Sequence, residues 1–215
     1  MYASAMTGLR ERKKEQTRAA IAEAALRLFA ERGFDAVTVA EIAAAADVST
    51  ATVFNYFATK EDLLYSRYEA FEEELLAAIR DRPEGQSVLD AFGAFMLERA
   101  RASAGRDLGA RVAVTARIIS NSPALLARER QIVARYADAL AALIAEETGA
   151  GPDDLRPRVA AGALMSVHRG LIDYARRRAL SPRGRSTLAA DLDAEGRRAL
   201  QLLADGLGDY AVKQS

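Results

Sequence analysis

Apolar residues recur along the chain three and four positions apart, the spacing that lays them on one face of a helix, and the runs so marked predict an all-α fold of about nine helices. The first run ends near Arg32, with Ile21, Ala24, Ala25 and Leu28 on its inner face and Phe29 at the edge. Gly33 supplies the stop, and Phe34 and Val37 follow as plugs for the base of a small domain. Met1 to Leu9, small and polar without a period, predicts a disordered start. Val39, Ile42, Ala43 and Ala46 mark a second helix, opened by Thr38 and Glu41 at the spacing of a capping box. Asp47, a residue type that tolerates the left-handed backbone, breaks the pattern, and Ser49 caps a third helix from about Thr50 to Phe57.

That third helix has two unlike sides. Val53 and Phe57 point one way, whereas Ala51, Thr52, Asn55 and Tyr56 occupy the other, with Thr50 in the exposed first turn. The outer side is small, polar and free of carboxylates, so it can enter a major groove without repelling phosphate. Thr59 and Asp62 form another capping pair, and a longer helix from Lys60 to about Asp81 carries the stripe Leu64, Tyr68, Phe71, Leu75 and Ile79. This linker helix belongs to the short helices at one end and to the rest of the chain at the other, so tilting it would move the reading unit.

Arg82-Pro83-Glu84-Gly85 breaks the linker and opens the second part. Further helices are predicted at Ser87–Ala104, Asp107–Ser120, Pro123–Thr148, Asp153–Leu180 and Asp191–Tyr210. Ser122-Pro123 is a strong helix start and Gly149-Ala150-Gly151-Pro152 an equally strong break. Gly162, Ser166 and Gly170, four residues apart, form a small-residue ridge that admits a close neighbour. The last helix carries Leu192, Ala199, Leu200, Leu203, Leu207 and Tyr210 as its stripe. Ridge and stripe either pack within one subunit or join two.

Charge and composition narrow the chemistry. Lys plus Arg and Asp plus Glu number 30 each in 215 residues, which argues against coating nucleic acid by bulk charge, so any such contact is local. Arg10, Arg12, Lys13, Lys14 and Arg18 against Glu11 and Glu15 give a local basic excess next to the short helices. Cysteine is absent and His168 is the single histidine, so thiolate zinc sites, disulfides and histidine metal clusters are excluded, and a Ser-His-Asp triad could form only at that residue. No P-loop or dinucleotide fingerprint occurs. An enzyme is not expected, nor are catalytic residues, a metal or a cofactor. No apolar run approaches the ~18 residues of a membrane span and no signal-peptide core is seen, so the expected location is cytoplasmic, with no membrane partner.

The run Gly33-Phe34, Thr38-Val39, Ile42-Ala43, Ala46, Val48-Ser49, Thr52-Val53-Phe54, Tyr56-Phe57, Lys60-Glu61 and Leu63-Leu64 resembles the N-terminal third of TetR-family transcriptional regulators. The resemblance implies an N-terminal three-helix helix-turn-helix domain, here residues 1–63, and a C-terminal helical bundle for ligand binding and dimerisation, residues 64–215. It implies a homodimer on a palindromic double-stranded DNA operator. Residue pattern and resemblance together assign DNA binding to Arg18, Thr38, Thr50, Ala51, Thr52, Asn55, Tyr56 and Lys60. Two positions depart from the family: Asp47 stands where the turn often has Gly, and Phe54 where Tyr is common, so a phosphate-contacting hydroxyl is missing there.

In the resembled family the last two helices of each subunit pair across the two-fold axis, which points to Gly162, Ser166, Gly170, Leu200, Leu203 and Leu207 as interface. Elements that line the effector pocket there carry Phe92, Phe95, Met96, Ile118, Ile119, Met165 and His168 here. Such bulky residues serve a plain core as readily as a pocket, and His168 reads as a core or interface histidine or as a ligand contact. Walls of this kind suit a small apolar effector, and a highly charged one would need Arg117 or Arg169 to point inward. The expected function is a ligand-responsive repressor. The alternative is a helical ligand-binding or protein-interaction module that has lost operator binding.

Overall fold

The computed structural model describes residues 2–65, 69–105, 107–207 and 212–213, with side chains from residue 12 onward except at 69, 205 and 207. Among them lie ten helices and no strand: α1 (Tyr2–Arg32), α2 (Val39–Ala45), α3 (Thr50–Tyr56), α4 (Asp62–Tyr65), α5 (Glu69–Arg80), α6 (Val88–Ser103), α7 (Leu108–Ser120), α8 (Pro123–Thr148), α9 (Arg156–Ala179) and α10 (Pro182–Leu207). The run expected as one helix from Lys60 to Asp81 is described as α4 and α5. Residues 66–68 between them, with Tyr68 of the expected stripe, lie outside the described residues, as does Tyr210.

Two boundaries correct the sequence reading. The first helix starts at Tyr2 rather than after Leu9, since Ala, Met, Leu and Arg are all strong helix formers even without an amphipathic period. The last helix starts at Pro182, not Asp191. Ser181 accepts a hydrogen bond from the Gly184 amide at 3.1 Å and Pro182 takes the first helical position, the same Ser-Pro signal that opens α8. Gly184 weakens the apparent propensity there, yet it is required: a Cβ at this position would sit 2.3 Å from the Arg178 carbonyl oxygen.

The chain divides into two compact units, Met1–Glu69 with Arg117–Arg128, and Ala70–Ala116 with Glu129–Ser215. The first unit packs Ile21, Ala24, Ala25, Phe29, Phe34, Val37, Ile42, Val53, Phe57, Leu63 and Leu64 into its core. Phe29, expected at the edge of α1, is fully buried and its ring centroid lies 5.0 Å from that of Phe34, whereas Leu28 is half-buried. Ile118, Ile119 and Leu125 are also buried, and polar ties hold their segment to the short helices. Tyr65 donates its hydroxyl to the Leu125 carbonyl at 3.0 Å, Ser122 donates to Asp35 at 3.1 Å, and Arg128 donates to Asp62 at 2.7 Å. Burial alone would raise the Asp62 pKa, but hydrogen bonds from Thr59 and Arg128 hold it below the usual carboxylate value.

The second unit is built on α5, α6, α8, α9 and α10. Its core joins Phe71, Leu75, Ile79, Phe92, Tyr136, Leu140, Ile144, Leu164 and Met165. A smaller cluster of Ala113, Ala175, Ala179 and Leu188 lies where α7, α9 and α10 meet. The loop after α5 is pinned by Arg82, whose guanidinium donates to the carbonyls of Ile79 and Gln86 at 2.6 and 3.0 Å and pairs with Glu147 at 2.7 Å. Lys213 returns to the same loop and donates to the carbonyls of Arg80 and Arg82.

Candidate nucleic-acid interface

The helix pair α2–α3 is fixed by backbone capping at both starts. Thr38 accepts from the Glu41 amide at 3.3 Å, and Glu41 accepts from the Thr38 amide and hydroxyl at 2.8 Å. Arg32 also donates to Glu41 at 2.7 Å. The Thr38 amide, then Arg32 and the Thr38 hydroxyl, pull the Glu41 carboxyl down to a pKa of about 2. Its charge is thereby matched within the domain rather than offered to DNA. Asp47 takes φ 54°, the left-handed conformation the sequence predicts for it, and turns the chain toward α3. Ser49 caps α3 by accepting from the Thr52 amide at 3.0 Å.

This geometry sorts the expected DNA-contacting residues. Thr50, Ala51 and Asn55 are exposed on α3, Thr52 and Tyr56 are half-buried, and Val53 and Phe57 point into the core. The Thr52 hydroxyl is within 2.8 Å of the Ser49 hydroxyl, so it also braces the turn. Thr38 is exposed, with its hydroxyl engaged in the cap. Lys60 is half-buried with its ammonium 4.3 Å from the Phe34 ring centroid, which holds the charge beside the end of α3. Arg18 lies over the Phe57 ring at 5.4 Å and ties the basic part of α1 to the same helix. Arg12, Lys13 and Lys14 are exposed on α1, and the side chain of Arg10 lies outside the described residues.

Phe54, which the sequence marks by the hydroxyl it lacks, also belongs to this face. It is 52% exposed, an unusual setting for a phenyl ring, and it stands beside the exposed Thr50, Ala51 and Asn55. Its sequence signal was the break in the apolar period, with Val53 and Phe57 facing inward and Phe54 between them facing out.

The expected effector residues fall in two places. Ile118 and Ile119 are buried within the first unit. Phe92, Phe95, Met96, Met165 and His168 are all in the second, where Phe92 and Met165 are core and Phe95 and Met96 half-buried. His168 is buried and its ring centroid lies 4.5 Å from that of Phe71. Burial, and then the positive charge of Arg99, push its pKa down to about 4, so the ring is neutral at pH 7. Arg117 and Arg169 are exposed. The cation that the sequence did not single out is Arg99, whose guanidinium lies 5.2 Å over Phe71 and pairs with Glu74.

The expected interface residues also divide. Gly162, Ser166 and Gly170 are exposed along α9, and among the described residues nothing beyond the adjoining helix backbone comes within 4 Å of a Cβ built on either glycine. Leu200 and Leu203, expected on the same surface, are half-buried and pack against their own unit's core. Leu202 on the same helix is 81% exposed. The side chain of Leu207 lies outside the described residues.

Two capped helices, a tight turn and a carboxylate-free outer face define a helix-turn-helix DNA-binding protein. Residues 21–66 match the family described as bacterial regulatory proteins, tetR family, and residues 86–208 match the MftR C-terminal domain. The chain is 35% identical over 167 residues to the HTH-type transcriptional regulator TcmR of Streptomyces glaucescens, covering 75% of this chain and 74% of that protein. The fold is shared with SmeT in its triclosan complex, at a TM-score of 0.60 and 22% identity over 91% of this chain and 94% of that one. NalD of Pseudomonas aeruginosa, the secondary repressor of the MexAB-OprM multidrug efflux pump, gives a TM-score of 0.58 and 22% identity over 90% and 97% of the two chains. The chain belongs to the TetR family of bacterial regulatory proteins: it is a DNA-binding transcriptional regulator, not an enzyme. No helix among the described residues is long and apolar enough to cross a membrane.

Proposed function

We propose that the protein is a repressor that binds a palindromic operator as a homodimer and is released by a small, largely apolar effector held in the second unit. The observation that carries the DNA reading is the outer face of α3, where Thr50, Ala51, Phe54 and Asn55 are exposed and no residue of the helix is charged. Asn55 and Tyr56 are the base-contacting residues: an amide can bond an adenine edge through two hydrogen bonds, and a phenol can bond a base or a phosphate. Phe54 and Ala51 supply apolar surface of the kind that meets a thymine methyl. Lys60 and Arg18 contact phosphate from the two flanks. The effector lies among Phe92, Phe95, Met96, Met165 and His168, and the subunits meet along Gly162, Ser166, Gly170 and Leu202 together with Val159, which is 63% exposed on α9 three residues before Gly162.

The test is a gel-shift titration on DNA flanking the protein's own gene. Asn55→Ala and Tyr56→Ala each weaken specific binding by ~1 to 3 kcal/mol with helix content unchanged. Lys60→Ala weakens binding to all sequences alike and lowers the salt slope by about one. Native operator affinity in both α3 variants would refute this assignment of the face. Absence of any sequence-specific binding by the wild type would point to a module that keeps the fold without operator recognition.

A further inference from the structure

Four polar residues are buried among the described ones: Arg82, Ser87, Ser122 and His168. Three are bonded within the chain. Arg82 reaches two carbonyls and Glu147, Ser87 donates to Asp90 at 2.7 Å, and Ser122 donates to Asp35. His168 differs. Its Nδ1 is the one buried side-chain nitrogen or oxygen among the described residues without a hydrogen-bond partner. A buried polar atom left unpaired is costly, and an apolar residue of similar size would stack on Phe71 equally well without that cost.

The surroundings indicate what would complete it. Phe71 lies against His168 on one side, and its ring centroid is 5.5 Å from that of Phe95, edge-on, and 5.1 Å from that of Tyr136. Arg99 covers Phe71 and Phe95 at 5.2 and 6.0 Å, but its charge is already held by Glu74. Phe95 and Met96, which pack against this cluster, are only half-buried, so its edge reaches the surface of the second unit.

Resting on the reading that the second unit takes a small molecule, we propose that His168 is its polar anchor and that the ligand is an uncharged hydroxylated aromatic compound, a phenol. Its ring packs with Phe71 and Phe95 and its hydroxyl bonds Nδ1. A hydroxyl suits either tautomer of a neutral imidazole, because it can donate to a bare Nδ1 or accept from a protonated one. Offset and edge-on ring packing favours an aromatic skeleton over a flexible chain. A carboxylate or phosphate ligand is disfavoured, since its charge would be buried beside a neutral imidazole and an arginine already paired.

Because the chain has one histidine, protein labelled with 15N-histidine and freed of any histidine tag gives signals from this imidazole alone. It is titrated with 1-naphthol and 4-phenylphenol, each beside its parent hydrocarbon, naphthalene or biphenyl. The expected result is a shift of the Nδ1 resonance with a phenol, and five- to tenfold tighter binding of that phenol than of its parent, the worth of about one hydrogen bond. His168→Phe abolishes the preference and retains the hydrocarbon. An Nδ1 signal that stays fixed with every phenol, as a trapped water would give, overturns the proposal, and so does a preference that survives in His168→Phe. Gel shifts with the same compounds separate the two readings: a shifted Nδ1 with undiminished DNA affinity supports the anchor and refutes release by effector.

Discussion

Gly162 and Gly170 allow the dimer to be tested by the sign of an effect rather than by its size. Both are in the interior of α9, both are exposed, and among the described residues a Cβ on either would meet nothing within 4 Å beyond the adjoining helix backbone. In an isolated subunit, replacing each by Ala should therefore stabilise the helix by ~1 kcal/mol, the ordinary gain for exposed helix positions. Two such changes would raise Tm by roughly 4 to 8 °C in a chain of this size. If the ridge instead lies against its two-fold mate, each new methyl enters a contact that only a hydrogen now fills, and it does so twice per dimer because the interface is isologous. Overpacking of ~1 to 3 kcal/mol at each of the two positions, even counted once per dimer, would then weaken the dimer by roughly thirtyfold at the lower end and by more than ten thousandfold at the upper. Ser166 is poorly placed to compensate, because its hydroxyl already donates to the Ala163 carbonyl at 2.7 Å. The Gly162→Ala/Gly170→Ala double variant should be followed by sedimentation equilibrium and by thermal melts over a range of protein concentrations. Weaker dimerisation with a lower, concentration-dependent Tm is expected. A dimer of native affinity with a raised Tm would show that α9 presents this ridge to solvent and that the subunits meet elsewhere.

Two further outcomes follow from buried polar groups. His168 has a folded-state pKa of about 4 against an ordinary value near 6.5, so the unfolded chain binds the extra proton between those values. The stability this confers is complete above pH 6.5 and is lost as pH falls toward 4, by about 3 kcal/mol in all. Urea unfolding of wild type and His168→Phe should thus diverge across that window, and parallel profiles would refute a neutral buried imidazole. Arg82→Met should cost ~3 kcal/mol in the same assay, because it strands the carbonyl of Ile79, removes one of the two donors to the carbonyl of Gln86, which keeps the Lys213 amide, and leaves Glu147 without its partner. A loss below ~1 kcal/mol would mean that water replaces the guanidinium.

Much of this fold is specified by local signals in the chain. Thr38 and Glu41, Ser49, Asp47, Gly33 and the inward pair Val53 and Phe57 are legible because caps, stops and periodicity are settled within one or two helical turns. The same logic was available at Ser181-Pro182 and was obscured by Gly184, whose need for space arises from the Arg178 carbonyl of the preceding helix. Which face of a helix is the inner one is a finer question than periodicity answers. Phe29 and Leu28 exchanged roles, and Leu202 rather than Leu200 or Leu203 points outward, because one residue of rotation is 100° and only the neighbouring helices fix it.

Sequence alone determined the helical class, the capped helix-turn-helix and the exclusion of disulfides, thiolate zinc sites and histidine clusters, since these depend on residue identity and near neighbours. Tertiary structure decided what depends on distant partners. It placed Ile118 and Ile119 in the first unit and drew Arg99 over Phe71. It also left His168 Nδ1 without a bond. Each of these is a contact, or a missing contact, between groups far apart in the chain, and no local pattern encodes it.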